Sequence, residues 1–192
     1  MARPNRSREA ILAAAAELAA SRGISATSMD DIAQFAGVSK GSLYYNFASK
    51  NELFGALFVN VQHDLVPALQ EALDGCADGQ DSLRVLIGEV LVRLQAQPAL
   101  AKLLVAEIFR SDRNWSESVG TFRDSLAQLF STALAAARPD LDDARSLLLA
   151  SSSLGAVLTS GLEWLVFEPE RSRDEVVDAL MMLLVPFSPE TA

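Results

Sequence analysis

The chain has 192 residues, half of them apolar, which is enough to bury a substantial core in one large domain or two small ones and excludes a disordered chain. Its single cysteine, Cys76, excludes an internal disulfide. With one histidine, His63, it supplies neither a Cys/His zinc cluster nor a Cys-His nucleophilic pair. The net charge of -9 is uneven: residues 1–60 carry six Lys/Arg against five Asp/Glu, so a nucleic-acid partner would have to face this portion, because the acidic remainder repels phosphate.

Arg8, Glu9 and Glu17 interrupt the alanine-rich start, which therefore lacks the apolar core of a signal peptide. Nowhere does a run of about eighteen apolar residues occur. A cytoplasmic location is expected, with no membrane partner.

The predicted elements are all helical. From Ser7 to Ser21 the residues Ile11, Leu12, Ala15, Leu18 and Ala19 form one apolar stripe, and Gly23 follows as a stop. A second, short helix is capped by Thr27 or Ser28. It holds Ile32, Ala33 and Phe35, carries Asp30 and Asp31 in its first turn, where the helix dipole favours carboxylates, and ends at Gly37. A third runs from about Ser39 or Lys40 to Asn46. A fourth, capped by Ser49 with Glu52 three residues on, carries Leu53, Leu57, Val61 and Leu65 toward Pro67. Beyond it, residues 82–97, 99–110, 116–138, 141–167 and 173–185 show helix-period apolar positions between Gly, Pro and Asp/Asn breaks. No segment alternates in the manner of a strand, so the fold class is all-α with about nine helices.

The stretch DDIAQFAGVSKGSLYYNF has the spacing of a helix-turn-helix. Ile32 anchors, Ala33 lets another helix approach, Gly37 is free to take a positive φ, Val38 plugs the turn, and Leu43 and Phe47 face inward. The outward face of the third helix then presents Lys40, Gly41, Ser42, Tyr44 and Tyr45. This element matches the width of a DNA major groove, about 12 Å. Gly41 allows close backbone approach, Lys40 and Ser42 reach base edges or phosphates, and the tyrosines offer phenol donors and flat apolar area. Thr27, Ser28 and Ser39 at the helix starts, and Lys50 at the head of the fourth helix, are expected to flank them on the DNA backbone, together with an N-terminal arm of Arg3, Arg6 and Arg8.

The run from Ala10 to Phe54, through AAxELxxxxG, TSMDDIAQFAGVS, GSLYYNF and SKNEL, resembles the N-terminal domain of the tetracycline-repressor-like (TetR) family of transcriptional regulators. That resemblance covers about the first 60 residues. It implies a three-helix DNA-binding head (1–48) joined by a linking helix, about 50–66, to a larger helical ligand-binding and dimerisation domain (49–192). It further implies phosphate contacts by Thr27, Tyr44, Tyr45 and Lys50, and base-facing roles for Lys40, Gly41 and Ser42. Asn46 stands where the family commonly has histidine, which puts one local contact in doubt.

The body is read from pattern. Leu154, Val157, Leu158, Gly161, Leu162 and Leu165 follow helix spacing among small Ser, Gly and Ala residues. With DEVVDALMMLLVPF this makes the last two helices, about 141–167 and 173–185, the expected homodimer interface. The family resemblance implies an effector pocket enclosed by the helices over 82–97, 99–110 and 116–138, and the unusual groups there are Arg93, Glu107, Trp115 and Phe122, with Glu163 in the apolar final run. Their apolar surroundings favour a hydrophobic or amphipathic small molecule.

The expected function is therefore a dimeric, ligand-responsive transcriptional regulator, most simply a repressor released by its effector from a palindromic double-stranded DNA operator. Competing readings are an activator, or a helical interaction protein whose head does not act on DNA. No nucleophile-base pairing, phosphate-cradling glycine loop or metal-ligand spacing occurs, so neither an enzyme nor a metal or other cofactor is expected.

Overall fold

The computed structural model describes residues 4–107 and 116–185. Among them it has nine helices and no strand: α1 (Pro4–Arg22), α2 (Met29–Phe35), α3 (Lys40–Asn46), α4 (Lys50–Leu73), α5 (Gly79–Ala96), α6 (Pro98–Glu107), α7 (Ser116–Ala137), α8 (Asp143–Phe167) and α9 (Arg173–Leu184). They form two compact units interleaved along the chain. One contains α1 to α3, α4 as far as His63, α6 and the start of α7; the other contains the rest of α4, α5, the remainder of α7, α8 and α9.

In the first unit the predicted stripe of α1 is the buried one: Ile11, Leu12, Ala15 and Ala19 lie in the core with Ile24, Ile32, Leu43, Phe47, Leu53, Phe54 and Phe58. Each large side chain removed from water contributes about 1.5–3 kcal/mol, so Leu43 and Phe47 are enough to fasten a helix as short as α3. Arg8 lies over the Phe47 ring, 5.0 Å from its centroid, closing the amino-terminal side of this core with a cation–π contact.

Caps decide most of the helix starts. Ser28 accepts from the Asp31 N–H while the Asp31 carboxylate accepts from the Ser28 N–H, a capping box. Ser39, Ser49, Asp78, Asp142 and Ser172 likewise each accept from a backbone N–H three residues on. The Asp78 cap starts α5 at Gly79, earlier than the apolar spacing alone indicates.

The expected stop at Pro67 does not occur, because α4 continues to Leu73. Proline in a helix interior removes the hydrogen bond to the fourth preceding carbonyl and destabilises by about 3 kcal/mol. Here Pro67 is exposed, while Leu69 is buried on the turn beyond it and holds the helix in place.

In the second unit α5 packs on both α8 and α9. Leu83, Leu86, Ile87, Val90, Leu91 and Leu94 of α5 are buried, as are Leu154, Val157 and Leu158 of α8 and Val176, Val177 and Leu180 of α9. Gly79 is required by close approach: a Cβ there would lie 2.2 Å from the Ala137 backbone nitrogen. Trp164 is buried with its indole N–H donating to the Arg171 carbonyl at 3.0 Å, which ties the end of α8 to the turn before α9.

By length and composition, residues 144–167 of α8 match a membrane-crossing helix, with mean hydropathy 1.2. The helix is instead partly buried by α5 and α9, and serines, Gly155, Gly161 and Glu163 are distributed along it.

Candidate nucleic-acid interface

The turn between α2 and α3 is built as its residues predict. Gly37 takes φ +67, donates its N–H to the Gln34 carbonyl at 3.2 Å, and leaves the Val38 N–H to reach the Ala33 carbonyl at 3.0 Å. This is the paired closure of a Schellman motif, which stops α2 and turns the chain into α3. Ser39 then caps α3 through the Ser42 N–H at 3.1 Å. Leu43 is fully buried, so rotation of the short helix about its axis is set by the core.

With Leu43 inward, the opposite face is left to solvent. Tyr45 is 87% exposed and Tyr44 50%; Lys40 and Gly41 are exposed, and Ser42 is half-buried beside them. Large aromatic side chains held outward on a helix with a fully packed inner face are unusual in a surface with no partner. Phe35, on α2, is also exposed.

The remaining expected DNA contacts have internal partners. Thr27 is 1% exposed, and its hydroxyl donates to the Gly23 carbonyl at 2.9 Å. The Lys50 ammonium donates to the carbonyls of Ile24 at 2.7 Å, Ser25 at 3.3 Å and Thr27 at 2.9 Å, locking the start of α4 onto the α1–α2 turn. Ser28 and Ser39 use their oxygens as cap acceptors while remaining exposed. Asn46 donates back to the Ser42 carbonyl at 2.8 Å. Of the arm, Arg6 is exposed and Arg8 sits on Phe47, while Arg3 lies outside the described residues.

Two carboxylates, read from sequence only as dipole partners, make specific ion pairs. Asp31 pairs with Arg22 at 2.6 Å, and Asp30 with Lys40 at 2.5 Å across the turn. Hydrogen bonds from the Ser28 side chain and backbone, with Arg22 nearby, hold the Asp31 carboxyl below its ordinary range. The bond to Asp30 raises Lys40 above the ordinary lysine value, so Lys40 stays cationic. Neither pairing has a signature in sequence spacing, because both depend on how α2 crosses its neighbours.

The residues expected at an effector site differ in exposure. Glu107 and Phe122 are buried, Arg93 and Glu163 are exposed, and Trp115 lies outside the described residues.

Residues 11–57 match the family of bacterial regulatory proteins, tetR family. The fold agrees over nearly the whole chain with a TetR-like transcriptional regulator from Rhodococcus sp. RHA1, at TM-score 0.78 and 27% identity, covering 96% of each chain. Residues 11–57 of this chain carry the tetR-family regulatory head. The transcriptional regulator FadR from Bacillus subtilis, solved in complex with stearoyl-CoA, has the same fold at TM-score 0.79 and 19% identity, with 93% of this chain and 97% of that chain covered. The HTH-type transcriptional activator FasR from Mycolicibacterium smegmatis is 40% identical over 77 residues, which are 40% of this chain and 35% of FasR. The chain spans between about a third and two thirds of the length of the curated relatives it matches. Among the described residues the chain is thus all-helical with a helix-turn-helix head, as its sequence predicts.

Proposed function

We propose that the chain is a homodimeric transcriptional regulator whose residues 1–48 read DNA and whose residues 49–192 bind an effector and dimerise. The observation that carries this is the outward face of α3: Lys40, Gly41, Ser42, Tyr44 and Tyr45 stand opposite a fully buried Leu43. Tyr44 and Tyr45 supply phosphate contacts and Lys40, Gly41 and Ser42 face the bases, while Ser28 and Ser39 flank them. Thr27 and Lys50 contribute by fixing the α1–α2 turn.

Dimerisation is supported by the free face of α8 and α9. Leu148, Ser152, Gly155, Thr159 and Val166 recur on one side of α8, and Ala179 and Met182 on α9. Leu148, Val166 and Met182 are large apolar side chains left exposed, and Gly155 has open space where a Cβ would stand. Small residues beside apolar ones admit a second helix pair at short range. A two-fold dimer sets its α3 helices on successive major grooves, with half-sites about 34–36 Å apart, and so reads a palindromic operator.

The effector is an amphipathic molecule with a long apolar part, and its binding releases the DNA. The buried Phe122 and Glu107 support an interior site, and stearoyl-CoA in the FadR structure names a chemical class to try first. The name of FasR supports a second reading, an activator that binds the same kind of operator. Enrichment from a random duplex pool tests the DNA claim: a symmetric motif supports it, and no enrichment by the folded dimer overturns it. Adding stearoyl-CoA to the complex then separates release from retention.

A further inference from the structure

We propose that Asp30 is a specificity-determining residue of the head, which pairs with Lys40 across the helix-turn-helix so that the recognition helix donates to neutral base edges rather than gathering phosphate. The inference rests on the reading of the head as a DNA reader.

Lys40 is the only cation in the KGSLYYN helix, and its ammonium is 2.5 Å from an Asp30 carboxylate oxygen. Both side chains are more than half exposed, at 68% and 55%. An ion pair this exposed adds little to folding stability. Nor does Asp30 cap α2, since Asp31 closes the capping box and also meets Arg22. Asp30 thus adds to folding only the small helix-dipole gain of a first-turn carboxylate, yet it holds the one charged group of the reading face.

A lysine ammonium carries three N–H donors. One is occupied by Asp30, leaving two for DNA on a pair whose net charge is zero. A guanine edge presents the neutral acceptors O6 and N7 and can take those donors with Asp30 still in place. A phosphate would have to take the Lys40 charge away from Asp30, so the lysine gains little from exchanging one anion for another. Unpaired, Lys40 would be a point charge that binds phosphate on any sequence, which is the origin of non-specific affinity and of its salt dependence. Pairing thus lowers binding to random DNA more than binding to the correct site.

The test measures affinity of the full chain for its selected duplex and for a scrambled duplex of equal length across a salt series, with Asp30→Asn, Lys40→Met and the double variant. Asp30→Asn is expected to tighten scrambled-duplex binding about threefold or more and to steepen the log–log salt slope by about one, the increment for one added phosphate contact. The selected duplex gains less, so discrimination falls. With Lys40→Met in place, Asp30→Asn is expected to change neither quantity. Unchanged binding of Asp30→Asn overturns the proposal, as does a gain that survives Lys40→Met, since the carboxylate would then act by direct repulsion. Failure of every version, wild type included, to bind any duplex overturns the DNA-reading function itself.

Discussion

Tyr45 and Lys50 lie five residues apart, yet the structure puts one wholly outside and the other against three carbonyls. Their substitutions should therefore separate binding from folding. Tyr45→Ala removes an exposed ring and is expected to weaken DNA binding at least tenfold with an unchanged melting temperature. Lys50→Met leaves three carbonyls of the α1–α2 turn without their donor and is expected to lower stability by about 1–3 kcal/mol in denaturant titration. A salt slope reduced by about one in Lys50→Met, with stability unchanged, would instead make Lys50 a phosphate contact. The inward role of Lys50 was not legible in the sequence, since its partners lie more than twenty residues away. Leu43 and Phe47 were legible because four-residue spacing alone puts them on one face. Gly37 was legible for a similar reason: its positive φ follows from the need for a tight turn, and Gly37→Ala should destabilise by about 1 kcal/mol or more.

Short helices in this fold depend on their ends. Ser28→Ala removes the acceptor for the Asp31 N–H and is expected to lower stability by about 1 kcal/mol. The same cap gives a pH dependence whose sign follows from Asp31. Its carboxyl titrates below its ordinary value in the folded chain, held there first by the Ser28 side chain. The stabilisation is therefore present above the ordinary carboxylate range and is lost as pH falls through the lowered value. Glu175 in the Ser172 box behaves alike, through the Ser172 backbone N–H first. Thermal melts from neutral to acid pH should show a smaller loss for Asp31→Asn than for the wild type; an equal loss would place the acid sensitivity elsewhere. Element ends were legible where a capping residue and a glycine coincide, as in α2 and α3, and failed at Pro67, where tertiary burial of Leu69 overrides a local stop.

At the scale of the whole molecule, the acidic charge and the uncovered apolar face of α8 and α9 point in one direction. In the proposed dimer the acidic body would repel DNA while its apolar face pairs with a second copy, so that only a pair of heads would meet the duplex. Gly155→Glu tests the pairing without disturbing the protomer, because a Cβ there meets nothing within 4 Å. Sedimentation is expected to show a dimer for the wild type and a folded monomer for the variant, and a dimer in both would move the interface off this face. The effector site was the least legible part, since charged residues inside apolar helices do not reveal from sequence whether they turn inward, and Arg93 and Glu163 are exposed where Glu107 is not. The most direct test of the central claim is hydroxyl-radical footprinting on a duplex selected by the protein, with the wild type beside Tyr45→Ala. Two protected half-sites are expected about one helical turn apart, related by two-fold symmetry and lost together in the variant. Protection of a single unsymmetric patch, or a footprint indifferent to Tyr45, would contradict the claim.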